Sequence, residues 1–226
     1  MNTATLRHVD SHVKPTSRPY NTARRRAAAQ RTRRAILDAA TRLFIERGYI
    51  ATTIADVAAA AGVALDTIYA VVGRKPTLFR LLIETAISGT QDPIPAEERD
   101  YVAAIRAEAE AGRKLEIYAQ TMRAIHGRMA PLLRVLQVAA PADPELTTVW
   151  SEIAERRARN MREFVTDLAG TGSLREGISR EEAADVIWAT NSPEFYVLLV
   201  HERGWDPDHY AHWLADAWRR LLLRDT

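Results

Sequence analysis

Apolar residues recur every three to four positions along most of the chain. The first such stretch begins at Gln30, and Ile36, Ala40 and Phe44 fall on one side of a helix that ends near Gly48. Because an α-helix turns once every ~3.6 residues, this spacing predicts an amphipathic helix with one buried face. Alternation at every second position, which is typical of strands, does not occur over any useful length. The pattern therefore predicts an all-α fold.

Residues that cap or break helices follow the first predicted helix. Thr53 and Asp56 have the spacing of a capping box, in which each side chain accepts a bond from the other residue's backbone amide. Gly62 and Gly73 close the next two segments, because glycine readily adopts the left-handed conformation that ends a helix. Pro76 suits the first turn of a fourth helix. We therefore expect two short helices between two longer ones.

The rest of the chain lies beyond a linker that Pro93 and Pro95 mark. The helices predicted there cover residues 97–111, 113–127, 130–140, 144–169, 180–191, 193–203 and 207–223. Residues 1–28 are polar and arginine-rich and cannot bury enough apolar surface to order a chain, so they are expected to form a mobile, disordered basic arm. The predicted organisation is thus the arm at 1–28, a first helical domain at 29–73, a connecting helix at 74–92 and a second helical domain at 93–226.

The composition supports this prediction and excludes several other classes. The chain has 38 Ala and 20 Leu among its 226 residues, and both are strong helix formers. The absence of cysteine excludes disulfides, thiolate metal sites and a cysteine nucleophile. The longest apolar run, residues 195–200, is far shorter than the ~18 residues of a membrane span, and the N-terminus lacks a signal-peptide pattern. We expect a cytoplasmic protein that makes no membrane contact.

Charge is distributed unevenly along the chain. Residues 1–80 hold 14 Lys and Arg against 5 Asp and Glu, whereas residues 81–226 hold 17 against 24. The net charge of +2 therefore conceals a basic N-terminal third, which is typical of a protein that binds a polyanion at one end. Much of this excess lies in the basic arm, which by itself would raise only nonspecific affinity for nucleic acid.

Residues 53–71 carry the motif that points to function. Two short helices joined by a turn at Gly62, with Val57 and Ile68 placed to hold them together, form the pattern of a helix-turn-helix. The surrounding sequence resembles the TetR family of transcriptional regulators over about 50 residues. The resemblance rests on Arg34-Ala-Ile-Leu37, Ala40, Leu43-Phe44, Gly48-Tyr49, Thr52-Thr53-Ile54, Asp56-Val57-Ala58, Ala61-Gly62-Val63, Thr67-Ile68-Tyr69, Lys75 and Leu78-Phe79.

The resemblance implies which residues contact DNA: Arg33, Thr53, Leu65, Asp66, Thr67, Tyr69 and Lys75. Thr53, Tyr69 and Lys75 would bind phosphates, and residues 65–67 would face base edges in the major groove. Arg33 would act with the neighbouring arginines of the basic arm, along phosphates or in a minor groove. The chain departs from the family pattern at Ala64, which cannot cap the recognition helix, so Asp66 is expected to take part of that role.

The resemblance also implies that the second domain dimerises and encloses a small-molecule pocket. The last two predicted helices, with Trp213 and Trp218, are the candidates for a dimer interface, although such apolar faces also suit an intramolecular core. The candidate pocket residues are Tyr118, Met122, Trp150, Arg157, Asn160, Phe164, Trp188 and Asn191. They combine apolar walls with a few polar groups, as ligand sites do. Equally, the aromatic residues suit a core, and Arg157 suits a surface ion pair with Glu152 or Glu163.

The expected function is therefore a homodimeric repressor that binds a palindromic operator in double-stranded DNA and is released by a small-molecule effector. We expect no cofactor, no metal site and no catalytic residues. Two alternatives remain open, namely a ligand-independent DNA-binding regulator or activator, and an all-α enzyme. The enzyme is disfavoured because His201-Glu202 lacks a second histidine for zinc, and residues 170–173 lack the strand and lysine of a phosphate loop.

Overall fold

The computed structural model of the chain describes residues 19–90 and 92–224, with side chains from Thr22 onward. Its α-helices are α1 (Pro19–Ala51), α2 (Ile54–Ala61), α3 (Leu65–Val72), α4 (Lys75–Ser88), α5 (Asp100–Ala107), α6 (Ala111–Ala139), α7 (Pro144–Gly170), α8 (Arg180–Thr190), α9 (Pro193–Tyr196) and α10 (Pro207–Leu222). A π-helical turn, Val197–Glu202, continues α9. In this described part the β-type pairing is limited to one isolated bridge between Leu174 and Leu223. The all-α prediction is confirmed.

Helix α1 begins at Pro19, well before the predicted start at Gln30. The prediction of a mobile arm over residues 1–28 is therefore wrong for residues 19–28, while residues 1–18 lie outside the described part of the chain. The reason is that Ala and Arg, which fill residues 23–29, have high helix propensity. These residues extend the part of α1 that packs in the core after residue 30. Extension adds one hydrogen bond per residue without the cost of a new nucleus.

Helix α6 is continuous where the sequence predicted two helices, at 113–127 and 130–140. Pro131 lies inside it, although proline lacks a backbone N–H and its ring crowds the carbonyl four residues earlier. Apolar side chains on both sides of the proline, including Met129, Leu133 and Leu136, are buried in one core. Their burial outweighs the local cost of about 3 kcal/mol for an interior proline.

Two hydrophobic cores are linked by the long helices α6 and α7. The first core joins α1–α4 to the C-terminal half of α6 and the N-terminal half of α7. The second core joins α5 and the remaining halves of α6 and α7 to α8, α9 and α10. The N-terminal helices therefore pack directly on two helices that continue into the second core.

Three ion pairs connect α4 to α7 in the same order along both helices. They are Arg74–Glu145 at 3.4 Å, Arg80–Glu152, and Arg156–Glu84 at 2.8 Å. Residue numbers increase in the same direction along both helices from one ion pair to the next, which shows that α4 and α7 run parallel to each other. Glu152 thus pairs with α4, and the predicted pairing of Arg157 with Glu152 does not occur.

Among the described residues, no single helix has both the length and the apolar content to cross a membrane. Helices α2 and α3 reach that length and composition only when taken together, and they are bent by 103° relative to each other.

Candidate functional site

The turn between α2 and α3 has the geometry that the sequence predicted. The amide of Asp56 donates to Thr53 Oγ1 at 3.1 Å, and the amide of Thr53 donates to Asp56 Oδ2 at 2.8 Å, which completes the capping box. Gly62 closes α2 with φ 67° and ψ 35°, a left-handed conformation that side chains other than glycine adopt only at a cost. The amide of Val63 then donates to the carbonyl of Ala58 at 3.1 Å. These bonds fix the bend between the two helices.

Helix α3 has one buried face and one exposed face. Ile68 and Val72 are buried in the first core, where Val57 of α2 is also fully buried. Leu65 and Tyr69, which are one turn apart, are 42% and 50% exposed. Because exposed large apolar side chains are unfavourable in water, such a face is typical of a surface that is covered by a partner.

The other predicted base-contacting residues lie in the first turn of the same helix. Asp66 is exposed and Thr67 is half-buried at the first turn of α3. Ala64 precedes the helix, and no side chain caps it. The expectation that Asp66 takes over the cap is therefore wrong, because its carboxylate stays in solvent instead of turning back to the backbone. It is free to accept a hydrogen bond from an external donor.

The hydroxyl of Thr53 already has a partner within the protein. Thr53 Oγ1 donates to Asp56 Oδ2 at 2.6 Å, and the hydrogen bonds from Thr53 hold the pKa of Asp56 below its usual value. A phosphate would have to draw this proton away from the carboxylate in order to bind the hydroxyl. The free backbone amides in the first turn of α2 offer a phosphate donors without that exchange.

Lys75 lies at the start of α4 against an aromatic ring. Its Nζ is 4.1 Å from the centroid of Tyr49, which is a cation–π contact. Burial lowers the pKa of Lys75, and nearby Asp143 partly opposes that change. The ring holds the ammonium group in place, so a phosphate contact by Lys75 would begin from an ordered side chain.

Arg33 has an intramolecular partner that sequence reasoning did not identify. Its Nε lies 3.5 Å from Asp92 Oδ1, in the segment after α4, and its side chain is largely buried. The structure therefore uses Arg33 to tie α1 to that segment. Arg25, Arg26 and Arg31, on the N-terminal extension of α1, are exposed and offer positive charge to solvent.

A cavity of about 80 Å³ lies in the second core between α5, α6 and α7. Its aromatic walls are Tyr101, Tyr118 and Phe164. The ring centroid of Tyr118 lies 6.4 Å from that of Tyr101 and 4.6 Å from that of Phe164. Met161 and Asn160 of α7 complete the side that faces α5. Of the predicted pocket residues, Tyr118, Asn160 and Phe164 thus meet at one cavity.

Arg157, Trp188 and Asn191 form a polar group behind that cavity. The guanidinium of Arg157 donates at 2.8 Å to the carbonyls of Trp188 and Asn191 at the end of α8, and it lies 5.2 Å from the Trp188 ring. Asn191 Nδ2 donates at 2.8 Å to the hydroxyl of Tyr118, which in turn donates to Met161 Sδ at 3.4 Å. Arg157, Trp188 and Asn191 therefore do not line the cavity, and Asn191 alone of the three bonds to a residue that does.

Three apolar predictions require correction or refinement. Trp150 packs against the first core, beneath the N-terminal helices, because it lies on α7 two turns before Arg157 and therefore in the other half of the molecule. Met122 is buried in the second core but does not line the cavity. Trp218, a candidate for the dimer interface, is fully buried, and its Nε1 donates to Thr190 Oγ1 at 2.7 Å. Trp213 remains half-buried against Phe195.

Sequence reasoning missed residues that depend on helix packing. Tyr101 of α5 lines the cavity, but no pattern in the short α5 distinguishes it from a core residue. His126 follows Tyr118 and Met122 at intervals of four, so its place on the same buried face was available from spacing. Tyr210 of α10 reaches this region only because α10 packs along α6.

Within the described residues, no group of three or more His, Asp or Glu side chains is placed to hold a metal ion.

The geometry defines a helix-turn-helix protein with a second helical domain. Residues 36–80 match the family model of the bacterial regulatory proteins of the tetR family. No curated protein sequence matches the chain. This match covers the helix-turn-helix and the adjoining parts of α1 and α4, so that segment is similar to the DNA-binding domain of the family.

Solved structures share this fold along most of the chain. NalD from Pseudomonas aeruginosa, the secondary repressor of the MexAB-OprM multidrug efflux pump, has a TM-score of 0.68 and 22% identity, covering 88% of this chain and 100% of its own. A protein from Saccharomonospora viridis described as a transcriptional regulator, in complex with choline, has a TM-score of 0.64 and 18% identity, covering 85% and 98%. SmeT in complex with triclosan has a TM-score of 0.61 and 20% identity, covering 86% and 93%.

Proposed function

We propose that the protein is a homodimeric repressor that binds a palindromic operator and is released from it by a small molecule. The observation that carries the DNA-binding part is the exposed face of α3, where Leu65, Asp66 and Tyr69 point to solvent while Ile68 anchors the helix in the core. A helix held in this way presents its side chains to the major groove without rearrangement.

Dimerisation follows from the size of this reading face. An eight-residue helix contacts only a few base pairs, so specific binding requires two copies on two half-sites. The half-buried Trp213 and the exposed Leu221 on α10 support an interface along that helix. Two copies related by a two-fold axis bind a palindrome, because the symmetry of the DNA matches that of the protein.

Release by a ligand is supported by the way in which α7 joins the two cores. Its C-terminal half lines the cavity, and its N-terminal half carries the ion pairs to α4. A ligand that displaces α7 would therefore move α4 and, with it, α3. A coupling free energy of ~1–3 kcal/mol would change operator affinity ~5- to 150-fold. The triclosan and choline complexes of related folds support a small-molecule ligand of this domain.

The repressor role is supported by NalD, which is itself described as a repressor. If the protein acts in the same way, operator binding near a promoter blocks transcription, and ligand binding restores it.

A gel-shift titration against DNA from upstream of the protein's own gene tests this function. We expect salt-sensitive binding that resists nonspecific competitor DNA and weakens at least tenfold in the double variant Tyr69→Phe with Lys75→Ala. Arg175→Ala is the matched control, since it also removes one positive charge but from an exposed residue in the loop after α7. Binding that competitor abolishes, or an equal effect of Arg175→Ala, would contradict specific recognition by the helix-turn-helix.

A further inference from the structure

Buried polar atoms without partners surround the polar group behind the cavity. Among the described residues, Asn191 Oδ1, His126 Nδ1 and the hydroxyl of Tyr210 are inaccessible to solvent and have no hydrogen-bond partner. Asn191 and His126 are only 2% exposed, and Tyr210 is fully buried. Native proteins pair nearly all such atoms, because burying an unpaired polar group costs free energy. These three unpaired atoms, from α6, α10 and the end of α8, are therefore available to hydrogen-bond a polar ligand.

One buried positive charge lies among these atoms. Arg157 is mostly buried, and no carboxylate of the described residues lies within ion-pair distance of its guanidinium. Its two hydrogen bonds to other described residues go to neutral backbone carbonyls. Glu194, the carboxylate that raises its pKa from a distance, accepts a hydrogen bond from Gln137 at 3.0 Å. Burial lowers the pKa of Arg157, as expected for a charge without a close counter-ion.

The same charge acts on the unpaired groups around it. Burial, together with the smaller effect of the nearby Arg157 charge, lowers the pKa of His126 to about 3, so the imidazole is neutral at pH 7. Arg157 also opposes the rise that burial causes in the pKa of Tyr210 and of Tyr118. His126, Tyr210 and Tyr118 therefore all lie within electrostatic reach of one guanidinium.

Only one layer of side chains separates this group from the cavity. Tyr118 and Met161 line the cavity, and both contact Asn191 through Nδ2, at 2.8 Å and 4.0 Å. Movement of the Tyr118 ring would open the cavity to Asn191 and Arg157. The aromatic walls suit the apolar body of a ligand, and the polar group behind them suits its polar end.

Resting on the function proposed above, we propose that the second domain binds an organic acid whose carboxylate pairs with Arg157. The hydroxyl of Tyr210 and the imidazole of His126, as its Nδ1–H tautomer, donate to the carboxylate oxygens. Asn191 Oδ1 can only accept, so a hydroxyl on the ligand supplies its missing donor. Three carboxylates line the cavity: those of Glu97 and Glu163 are exposed, and that of Asp167 is neutralised by Lys114 at 2.6 Å. They therefore do not set the charge of the buried end.

Titration calorimetry on the full-length protein tests the charge preference with two matched sets of probes. One set is 2-hydroxyoctanoate, 1,2-octanediol and 1-amino-2-octanol, which carry a hydroxyl beside the end group, and the other is octanoate, octanol and octylamine. We expect the acid of at least one set to bind at least tenfold more tightly than its alcohol and its amine, and Arg157→Gln to remove that preference. Tightest binding of an amine, or no binding of either acid at millimolar concentration, would overturn the proposal.

Thermal unfolding without ligand supplies a readout that does not depend on the probe chosen. We expect Tyr210→Phe to leave the Tm unchanged or raised, because it removes an unpaired hydroxyl, and to weaken acid binding at least fivefold. Tyr118→Phe is the matched control and is expected to lower the Tm, since its hydroxyl accepts from Asn191. An equal loss of Tm in both variants would mean that Tyr210 is already satisfied in the free protein, which would overturn the argument from unpaired atoms.

The same probes in the operator gel shift separate this proposal from the proposed function. Acid binding with no effect on operator affinity would support the site and contradict ligand-controlled release. Release of the operator by an amine, without acid binding, would support ligand control and contradict the organic-acid site.

Discussion

The two faces of α3 predict opposite consequences for two neighbouring apolar residues. Ile68→Ala removes a fully buried side chain from the first core. Such a truncation leaves a cavity and lowers the free energy of unfolding by ~2–5 kcal/mol. Leu65→Ala removes a side chain that is 42% exposed, so it is expected to change the free energy of unfolding by no more than ~0.5 kcal/mol.

DNA affinity is expected to respond in the reverse order. Complete burial of a leucine side chain contributes ~1.5–3 kcal/mol. Leu65 is 42% exposed, so covering the exposed part with DNA should contribute about 0.6–1.3 kcal/mol to the free energy of binding. Leu65→Ala should therefore weaken operator binding roughly three- to ninefold with little loss of stability. Ile68→Ala should lose stability first, and its folded fraction should bind DNA with smaller losses.

Urea unfolding followed by circular dichroism, and fluorescence anisotropy with a labelled operator, measure the two effects at one fixed protein concentration. Val138→Ala on α6 is the control, because Val138 is 83% exposed and lies on a different helix. It should change neither quantity. A loss of stability in Leu65→Ala comparable to that of Ile68→Ala, or unchanged DNA affinity in Leu65→Ala, would refute the orientation of α3.

Three further predictions concern the turn, the contact between α4 and α7, and pH. Gly62→Ala should lower the free energy of unfolding, measured in urea, by about 1–2 kcal/mol. The loss comes from the left-handed backbone at φ 67° alone, since an added Cβ would meet no atom within 4 Å. A double-mutant cycle on Glu84→Ala and Arg156→Ala should give a coupling energy of ~0.5–1 kcal/mol for this partly exposed pair at 2.8 Å. The pKa of His126 is lowered to about 3 in the folded protein, so the unfolded chain binds a proton there more readily. As the pH falls from 6.5 to 5, the free energy of unfolding of the wild type should therefore decrease by on the order of 2 kcal/mol more than that of His126→Phe.

Each of these three predictions has a result that would contradict it. A neutral Gly62→Ala would mean that the turn does not need a left-handed residue. Additive effects of Glu84→Ala and Arg156→Ala would show that the ion pair does not couple the two helices. Parallel pH profiles for wild type and His126→Phe would show that His126 titrates normally, and is therefore not buried as described.

The helix-turn-helix was predictable because its determinants are local. The capping box of Thr53 and Asp56 and the left-handed Gly62 act within a few residues, so their spacing along the chain is the same as their spacing in the fold. Similarly, the buried positions of α3 follow from helical periodicity alone. The start of α1 was less predictable, because a polar, alanine-rich segment lacks the apolar periodicity that marks a helix, although its propensity is high.

Features that depend on packing between distant helices were not predictable. Pro131 reads as a helix end in the sequence, but burial on both sides of it keeps α6 continuous. Trp150 and Trp218 both lie on regular apolar faces, and only the packing of α7 and α10 shows that the first belongs to the core under the N-terminal helices. The unpaired atoms of His126, Asn191 and Tyr210 come from three separate elements, so no spacing within one of them reveals the group.

The central claim is that paired α3 helices read an inverted repeat, and selection of binding sites from random double-stranded DNA tests it most directly. The account predicts enrichment of one sequence with two inverted half-sites centred roughly one or more helical turns apart, and loss of that enrichment with Tyr69→Ala and Thr67→Ala together. Enrichment of a single unpaired site would contradict the dimer, and no enrichment above background would contradict sequence-specific DNA binding itself.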